Sequence, residues 1–253
     1  MTDGGPRLAW LERIRERHPL ALHGVGLSLA AASEPDPAHL KRLASLAERV
    51  QPALISEHLA WSAWRGHCWP DLLPIIRNRA SLARLSANIG RLQDALGRTI
   101  AIEHPAHYLQ LEHEIGEIEF LSMLSARSGC QLLVDINNVY VGARNLAYSA
   151  DEWIDALPVT AIAEIHLAGH STDAQWGDAL LIDSHDTPVS EAVWDLYARL
   201  LARSEPRPTL LERAFACLLE ERERAHTLTQ KAQHEPAHPD STRAGTLPRS
   251  CPR

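Results

Sequence analysis

The segments LLVDINN (132–138) and AEIHLAGH (163–170) are short apolar runs that stop at side chains able to bind metal ions. Four further segments share the pattern: ALHGVG (21–26), LISEHLAW (54–61), AIEHP (101–105) and TLLE (209–212). Strands normally end in turn-forming residues, because an unpaired charge at a strand end gains nothing. The residues that end these runs are His23, His58, Glu103, Asp135, Asn138, His166 and Glu212.

Helical stretches separate these runs along the chain. Leu82, Leu85, Ile89 and Leu92 form one apolar stripe before Gly97, and similar patterns predict helices over 40–50, 117–128, from 149 and over 191–203. Alternating strands and helices indicate an α/β fold whose parallel strands present their carboxyl ends on one face. Since only six strands can be counted, we expect a TIM-barrel-like (β/α) barrel that is incomplete, with six of eight strands.

The domain organisation follows from a change in composition near Ala225. Prolines and scattered polar residues dominate the last part of the chain, which contains no aromatic residue. This composition predicts a disordered tail over residues 225–253 and a single metal-binding barrel domain over residues 1–224.

Composition narrows the classes of function. The 253 residues carry a net charge of −7 without a basic run among aromatic residues, so we expect no nucleic-acid partner. No apolar stretch is long enough to span a bilayer, and the amino terminus lacks the apolar core of a signal peptide. Four widely spaced cysteines fit a reduced compartment, so we expect a cytoplasmic protein without a membrane partner.

Metal binding is the interpretation that accounts for all the strand ends together. One strand-end His or Asp is ordinarily a hydrogen-bonding residue, but six such ends on one face would crowd charges around the barrel axis. A cation offsets that cost. Three imidazoles, three carboxylates and one carboxamide, without a thiolate, suit more than one non-thiophilic metal ion.

For several residues the sequence leaves two interpretations open. Asp135 and Asn138 either cap the loop after their strand or supply oxygen ligands to neighbouring ions. Asp183 and His185, which share a face, either complete a further metal site or order a loop, and His170 is a candidate for orienting His166.

Other residues are set aside as non-ligands. We expect His104, His107 and His113 in a loop or at the surface, Cys130 in the core, and the Trp-rich connection 61–69 packed over the barrel or a substrate.

The strings HGVGLSL (23–29), SEHLAW (56–61), LLVDINNVYV (132–141), EIHLAGH (164–170), LIDSHDTPV (181–189) and TLLE (209–212) resemble the domain-of-unknown-function 692 family. Its members are multinuclear non-haem iron enzymes of the methanobactin-biosynthesis type. The resemblance implies a TIM barrel with two or three irons that uses dioxygen to modify cysteine in a ribosomally synthesised precursor peptide, which a small partner protein presents. Carried over by motif, the ligands are His23, His58, Glu103, Asp135, Asn138, His166, Asp183, His185 and Glu212.

This chain departs from the family pattern at three places. An additional N-terminal segment with two strands is absent, which predicts an N-terminal truncation. His104 stands where the family has Asn, and Arg213, Ala214 and Phe215 replace an acidic segment after Glu212. Two alternatives to an iron oxidase therefore remain: a zinc, manganese or magnesium hydrolase or isomerase barrel of the xylose isomerase or endonuclease IV type, or an inactive truncated scaffold.

Overall fold

The computed structural model describes residues 5–64, 67–213 and 218–234. In chain order they form α1 (Pro6–Arg15), β1 (Ala21–Gly24), α2 (Pro37–Val50), β2 (Leu54–His58), β3 (Trp61–Trp64), β4 (His67–Leu73), α3 (Arg79–Leu96), β5 (Ala101–Glu103), α4 (Glu117–Ser128), β6 (Gln131–Asp135), α5 (Ile136–Leu146), α6 (Ala150–Asp155), β7 (Ile162–Ala168), β8 (Ser171–Asp173), β9 (Gly177–Ile182), α7 (Glu191–Leu201), β10 (Thr209–Glu212) and α8 (Leu218–His234).

The central element is a sheet of six strands in the order β1-β2-β5-β6-β7-β10. All five neighbouring pairs are parallel, so the six carboxyl ends lie on one side. This confirms the predicted α/β, TIM-barrel-like sheet of six strands. Two antiparallel hairpins, β3–β4 and β8–β9, are inserted after β2 and β7 on that same side.

Local sequence signals set the helix ends where they were expected. Asn78 caps α3 by accepting from the Ser81 amide at 2.8 Å, and the helix ends at Gly97, whose φ of 63° is a left-handed conformation that glycine adopts without strain. Helix α4 ends in the same way at Gly129. Ser149 caps α6 by accepting from the Glu152 amide at 3.2 Å.

The core lies between the sheet and the helices that cover it. All seven residues of β7 are buried, which is typical of a central parallel strand covered on both faces. Phe120, Leu124 and Ile154 are fully buried on the helical side. Cys130 belongs to this core, and burial raises the pKa of its thiol to about 11, as expected for an unreactive thiol.

Helix α8 differs from what the composition of the carboxyl-terminal part predicted. Residues 225–234 are helical and Ala225 is buried, whereas the composition predicted disorder from residue 225. The helix packs on α7 and β10, and such packing stabilises a polar helix whose sequence alone predicts little order. The rest of the predicted tail, residues 235–253, lies outside the described residues.

A substitution at Tyr197 tests the packing of α8 on α7 and β10. Its hydroxyl is hydrogen-bonded to Thr209 Oγ1 of β10 at 3.0 Å and to Thr229 Oγ1 of α8 at 3.1 Å. We expect Tyr197→Phe to lower the free energy of unfolding by about 1 kcal/mol, since two partly buried threonine hydroxyls lose a hydrogen-bond partner. Urea unfolding measures the change, and Thr229→Val completes a double-mutant cycle. Additive effects in the cycle would contradict a direct link between α7 and α8.

Within the part of the chain that the structure describes, no helix combines the length and apolarity that crossing a membrane requires.

Candidate metal centre

Strand register brings the predicted ligands to similar heights at the carboxyl end of the sheet. His58 of β2 is the register partner of Glu103 of β5, and Asp135 of β6 is the partner of His166 of β7. Residues two apart on a strand share a face, so Ser56 lies below His58 and Ala101 below Glu103 on the inner face. Their facing side chains therefore meet at the barrel mouth.

The first cluster consists of His23, His58 and Glu103. The Nε2 atoms of the two imidazoles lie 3.3 Å apart and are 3.0 Å and 3.2 Å from Glu103 Oε2. That oxygen is buried and accepts no hydrogen bond of normal geometry. Three donor atoms thus converge on one point, as metal ligands do.

Hydrogen bonds aim the two imidazoles of this cluster. His23 Nδ1 lies 2.8 Å from Ser56 Oγ, and His58 Nδ1 lies 2.9 Å from the Gly24 carbonyl, to which it donates. Fixing Nδ1 in this way leaves Nε2 of each ring directed at Glu103, and partners of this kind typically orient metal-binding histidines.

The second cluster shares Glu103 with the first and adds Asp135 and His166, all buried. Asp135 Oδ1 accepts from the Asn138 amide at 2.7 Å and so caps α5, while Asp135 Oδ2 is buried without a hydrogen-bond partner. The side-chain Nδ2 of Asn138 donates to Glu103 Oε1 at 3.2 Å. The side-chain Oδ1 of Asn138 is also buried without a hydrogen-bond partner. Capping and ligation are therefore compatible, because each role uses a different oxygen.

Glu212 joins the second cluster to a third group of donors. Its Oε1 lies 2.8 Å from His166 Nδ1 and its Oε2 lies 3.1 Å from His185 Nδ1. His185 Nε2 is in turn 3.0 Å from Asp183 Oδ1. All nine predicted ligands therefore form one continuous series of contacts across the mouth of the sheet.

The charges of the buried groups indicate what a cation would offset. Burial, together with Asp183 and Glu103, raises the pKa of Asp135 well above its ordinary value. Burial lowers the pKa of His166, but its contacts with Glu164 and Glu212 outweigh burial and raise it to about 10. Burial also raises the pKa of Glu103, but its contacts with His23 and His58 outweigh burial and hold the pKa at about 2. The site thus combines an ionised carboxylate with groups that favour their protonated forms, and a divalent cation can take the place of those protons.

His170 serves a different residue from the one predicted. Its Nδ1 lies 2.8 Å from Asn137 Oδ1 rather than against His166, and Asn137 Nδ2 donates to Asp183 Oδ1 at 2.7 Å. His170 therefore orients Asp183 through Asn137. The sequence did not identify Asn137 and Ser56 as groups that orient ligands. Asn137 directly precedes the predicted ligand Asn138, and Ser56 lies two residues before the predicted ligand His58, which are positions where such groups commonly occur.

The loop after Glu103 contains the histidines that were assigned to a loop or the surface. They do lie in a loop, but none of the three is fully exposed. His104 is 3% exposed, with its ring centroid 4.7 Å from that of Trp153. His107 Nε2 donates to Glu117 Oε1 at 2.6 Å, and the Arg77 amide donates to His113 Nδ1 at 3.0 Å. These hydrogen bonds hold the loop in place, and Asn145 Nδ2 donates a further hydrogen bond to the His107 carbonyl.

Glu117 is the buried anchor of this loop, and its pKa gives a pH prediction. Burial raises the pKa, but the His107 hydrogen bond and nearby positive charges outweigh it and hold the pKa at about 2, against 4.5 ordinarily. The resulting stabilisation, about 2–3 kcal/mol, is complete above pH 4.5 and is lost as the pH falls through about 2. By urea unfolding, Glu117→Gln should have a lower free energy of unfolding than the unmodified protein at pH 7. The difference between the two proteins should become smaller as the pH falls below 4.5. A pH-independent difference would contradict it.

The donors open into a cavity of about 660 Å³. His23, His58, Glu103, Asp183 and His185 line it, together with residues 70–74 and with Pro105, Ala106, Tyr108 and Leu109. The larger cavity of about 840 Å³ lies at the opposite ends of the strands, beside Arg98 and Gln131, and contains none of the predicted ligands.

Comparison with known proteins identifies the family. The family model described as "RiPP precursor modification enzyme MbnB/TglH/ChrH" matches residues 1–230. The chain belongs to this family. A UPF0276 protein of Caulobacter vibrioides is 54% identical over 246 residues, covering 94% of this chain and 88% of that protein. A UPF0276 protein of Bordetella bronchiseptica is 48% identical over 88% of this chain and 80% of its own length. Membership in the MbnB/TglH/ChrH family implies an enzyme with a peptide substrate; the predicted truncation stays a prediction.

Solved structures support the fold of this family member. Endonuclease IV from Thermus thermophilus superposes with a TM-score of 0.55 at 16% identity, covering 92% of this chain and 83% of that one. The IOLI protein, solved with a zinc atom, gives 0.51 at 14% identity over 90% and 81%. At this identity the likeness establishes the TIM-barrel fold alone.

Proposed function

We propose that this chain is a multinuclear non-haem iron oxidase that modifies a cysteine in a ribosomally synthesised precursor peptide. The observation that carries the proposal is the pair of overlapping donor clusters, His23/His58/Glu103 and Glu103/Asp135/His166, whose ligand atoms in each cluster lie within 4.8 Å of one another. When bound, iron supplies the activation of dioxygen and lowers the pKa of a substrate thiol.

The residues divide between the ions as follows. His23 and His58 would hold one ion, Asp135, His166 and Glu212 would hold another, and Glu103, which belongs to both clusters, would contribute to each. Asp183 and His185, which Glu212 links to His166, and Asn138, with its free Oδ1, are the further ligands. Asn137 and His170 orient Asp183.

Two features of the donor set favour iron over other metals. Two histidines and one carboxylate, as in the first cluster, are the donor set of many non-haem Fe(II) oxygenases that keep coordination positions open for dioxygen and substrate. The absence of a cysteine among these donors excludes the thiolate sites that are typical of structural zinc and of copper(I).

The second candidate is a zinc, manganese or magnesium hydrolase or isomerase. The fold is compatible with it, because proteins that share the fold include 3-keto-D-glucoside 4-epimerase YcjR of Escherichia coli, with a TM-score of 0.54 at 14% identity, and the IOLI protein solved with a zinc atom. The same oxygen and nitrogen donors suit these metals.

Metal loading under controlled oxygen separates the candidates. The protein is purified without oxygen, loaded with Fe(II), Zn(II) or Mn(II), and analysed for bound metal, with two or three irons per chain expected. The substrate assayed is a Cys-containing peptide from any short reading frame that lies beside the gene, added together with any small protein encoded there that co-purifies with it. Oxygen consumption that depends on iron and on the peptide cysteine supports the oxidase, whereas turnover without oxygen supports the second candidate.

The inactive-scaffold alternative is tested on the same preparation. A cooperative thermal transition that iron shifts upward is expected for a metal-binding native state. A non-cooperative transition unaffected by iron would support the scaffold and contradict the proposed enzyme.

A further inference from the structure

Glu164 is a buried carboxylate that belongs to neither donor cluster. The residue is 3% exposed, and its Oε2 has no hydrogen-bond partner. It lies two residues before His166 on β7, so both side chains point to the inner face of the sheet. Because a carboxylate shielded from water is costly unless it is paired, a glutamate at this position requires a partner.

The partner of Glu164 is His166. Leu133 of β6 is the register partner of Glu164 and packs with Ala101 and Ala163 in a small apolar cluster, so the inner face beside Glu164 is apolar. Glu164 Oε1 lies 3.7 Å from His166 Nε2, and among the described residues this is the one ion-pair contact that Glu164 makes.

Glu57 shows how a buried carboxylate is satisfied when its role is structural. It is also 3% exposed, but it accepts from the His58 amide at 3.1 Å through Oε1 and from the Leu27 amide at 3.4 Å through Oε2. In the part of the chain that the structure describes, no backbone amide donates to Glu164 in this way. The position of Glu164 is therefore explained by His166 rather than by the backbone around it.

The two ring nitrogens of His166 face opposite ends of the barrel. Nδ1 lies 2.8 Å from Glu212 Oε1, and Glu212 is the register partner of Ala168, two positions beyond His166 toward the mouth. Nε2 faces Glu164, on the side away from the mouth. Nδ1 is buried and makes no hydrogen bond of normal geometry, which leaves it available to an ion that Glu212 also binds.

This orientation is the reverse of that of His23 and His58. In those two residues Nδ1 is anchored by a hydrogen bond, and Nε2 meets Glu103. The centre therefore combines imidazoles that present different nitrogens, and each ring has a polar group behind the nitrogen that faces away from the ions.

We propose that His166 binds its metal ion through Nδ1 and that Glu164 is the positioning residue that holds the ring in this orientation through Nε2. The inference rests on the proposed function, because it requires a metal ion at the second cluster. A carboxylate behind a metal-binding imidazole fixes the tautomer and the orientation of the ring.

The first test identifies the nitrogen that binds metal. The protein is labelled with nitrogen-15 in its histidines and loaded without oxygen with Zn(II), which is diamagnetic and suits the same donors. Two-bond proton–nitrogen correlations distinguish a ring bound through Nδ1 from one bound through Nε2, and the His166 ring is assigned as the one missing from His166→Asn. We expect zinc on Nδ1 and the proton on Nε2. Zinc on Nε2 overturns the proposal.

The second test uses two substitutions at Glu164. Glu164→Leu removes the carboxylate, whereas Glu164→Gln keeps an acceptor oxygen for Nε2. We expect Glu164→Leu to weaken the zinc ion at the second cluster by about 10–100-fold, with less effect on the ion at His23 and His58, and Glu164→Gln to recover most of the loss. Competition with a chromophoric chelator measures both affinities. Unchanged affinities, or equal losses of both ions, overturn the proposal.

Glu57→Leu is the matched control. It makes the same change at an equally buried carboxylate and should lower the melting temperature, because the Leu27 and His58 amides lose their acceptor. It should leave the zinc on Nδ1 of His166. If Glu57→Leu also moves the zinc to Nε2, the orientation of His166 depends on general packing rather than on Glu164, and the proposal fails.

These outcomes are separate from those of the proposed function, because zinc binding requires neither iron nor oxygen. If zinc is bound through Nε2 while the iron-loaded protein oxidises its peptide, the function stands and the positioning role fails. If Nδ1 binds zinc and Glu164→Leu weakens it, but the iron-loaded protein consumes no oxygen, the positioning role stands and the oxidase fails. An unmodified protein that binds no zinc at the second cluster contradicts both.

Discussion

Glu103→Gln is expected to remove iron from both clusters and to lower activity on the order of a thousandfold, more than the 10–100-fold typical of groups that only orient ligands. Glu103 is the residue that the two clusters share, and it is 2% exposed. Glutamine keeps the shape of the side chain but presents a neutral amide, so two cations would lose the charge between them. Metal analysis after anaerobic loading measures the effect.

Glu117→Gln is the matched control for this variant. It makes the same chemical change at a largely buried carboxylate whose contacts are His107, Trp153 and Arg77 rather than the clusters. It should lose stability and keep its iron. Full iron content in Glu103→Gln would refute the bridging assignment, and equal losses in both variants would show that the effect is on folding.

Gly169→Ala is expected to have the second largest effect. A Cβ at Gly169 would lie 2.6 Å from the Thr187 carbonyl carbon and closer still to its oxygen, and both atoms are backbone. The segment that contains Asp183 and His185 is held at this point, since the His185 amide donates to the Gly169 carbonyl at 3.0 Å. We expect a loss of about 3 kcal/mol in the free energy of unfolding, because overpacking against backbone cannot be relieved by a rotamer change.

The same substitution should weaken the metal site selectively. Moving the 183–187 segment separates His185 from Glu212, so the metal that depends on Asp183 and His185 should be lost before the metal at His23 and His58. Gly90→Ala is the control: nothing lies within 4 Å of its Cβ, and alanine inside α3 should raise stability by up to about 1 kcal/mol. Unchanged stability in Gly169→Ala would contradict the close packing at Thr187.

The fold and the convergence of the strand-end side chains could be predicted because they depend on local patterns. The glycines after α3 and α4 end those helices through their own backbone conformation, wherever the helices pack. The strand-end donors could be found because parallel strands bring their carboxyl ends to one face irrespective of the loops between them. Helix α8 was not predicted, and its residues 225–234 were expected to be disordered, because its order depends on packing against α7 and β10 rather than on its own polar sequence.

The sequence by itself determined the alternation of six strands with helices and the seven donor side chains at the strand ends. Only the tertiary structure decided what each donor does. It divides the two oxygens of Asp135 between a helix cap and a free position, directs His170 to Asn137, makes His107 and His113 anchors of a loop, and places residues 70–74 beside the cavity. Those outcomes depend on side-chain directions and on contacts between distant segments, and a periodic pattern along one segment carries neither.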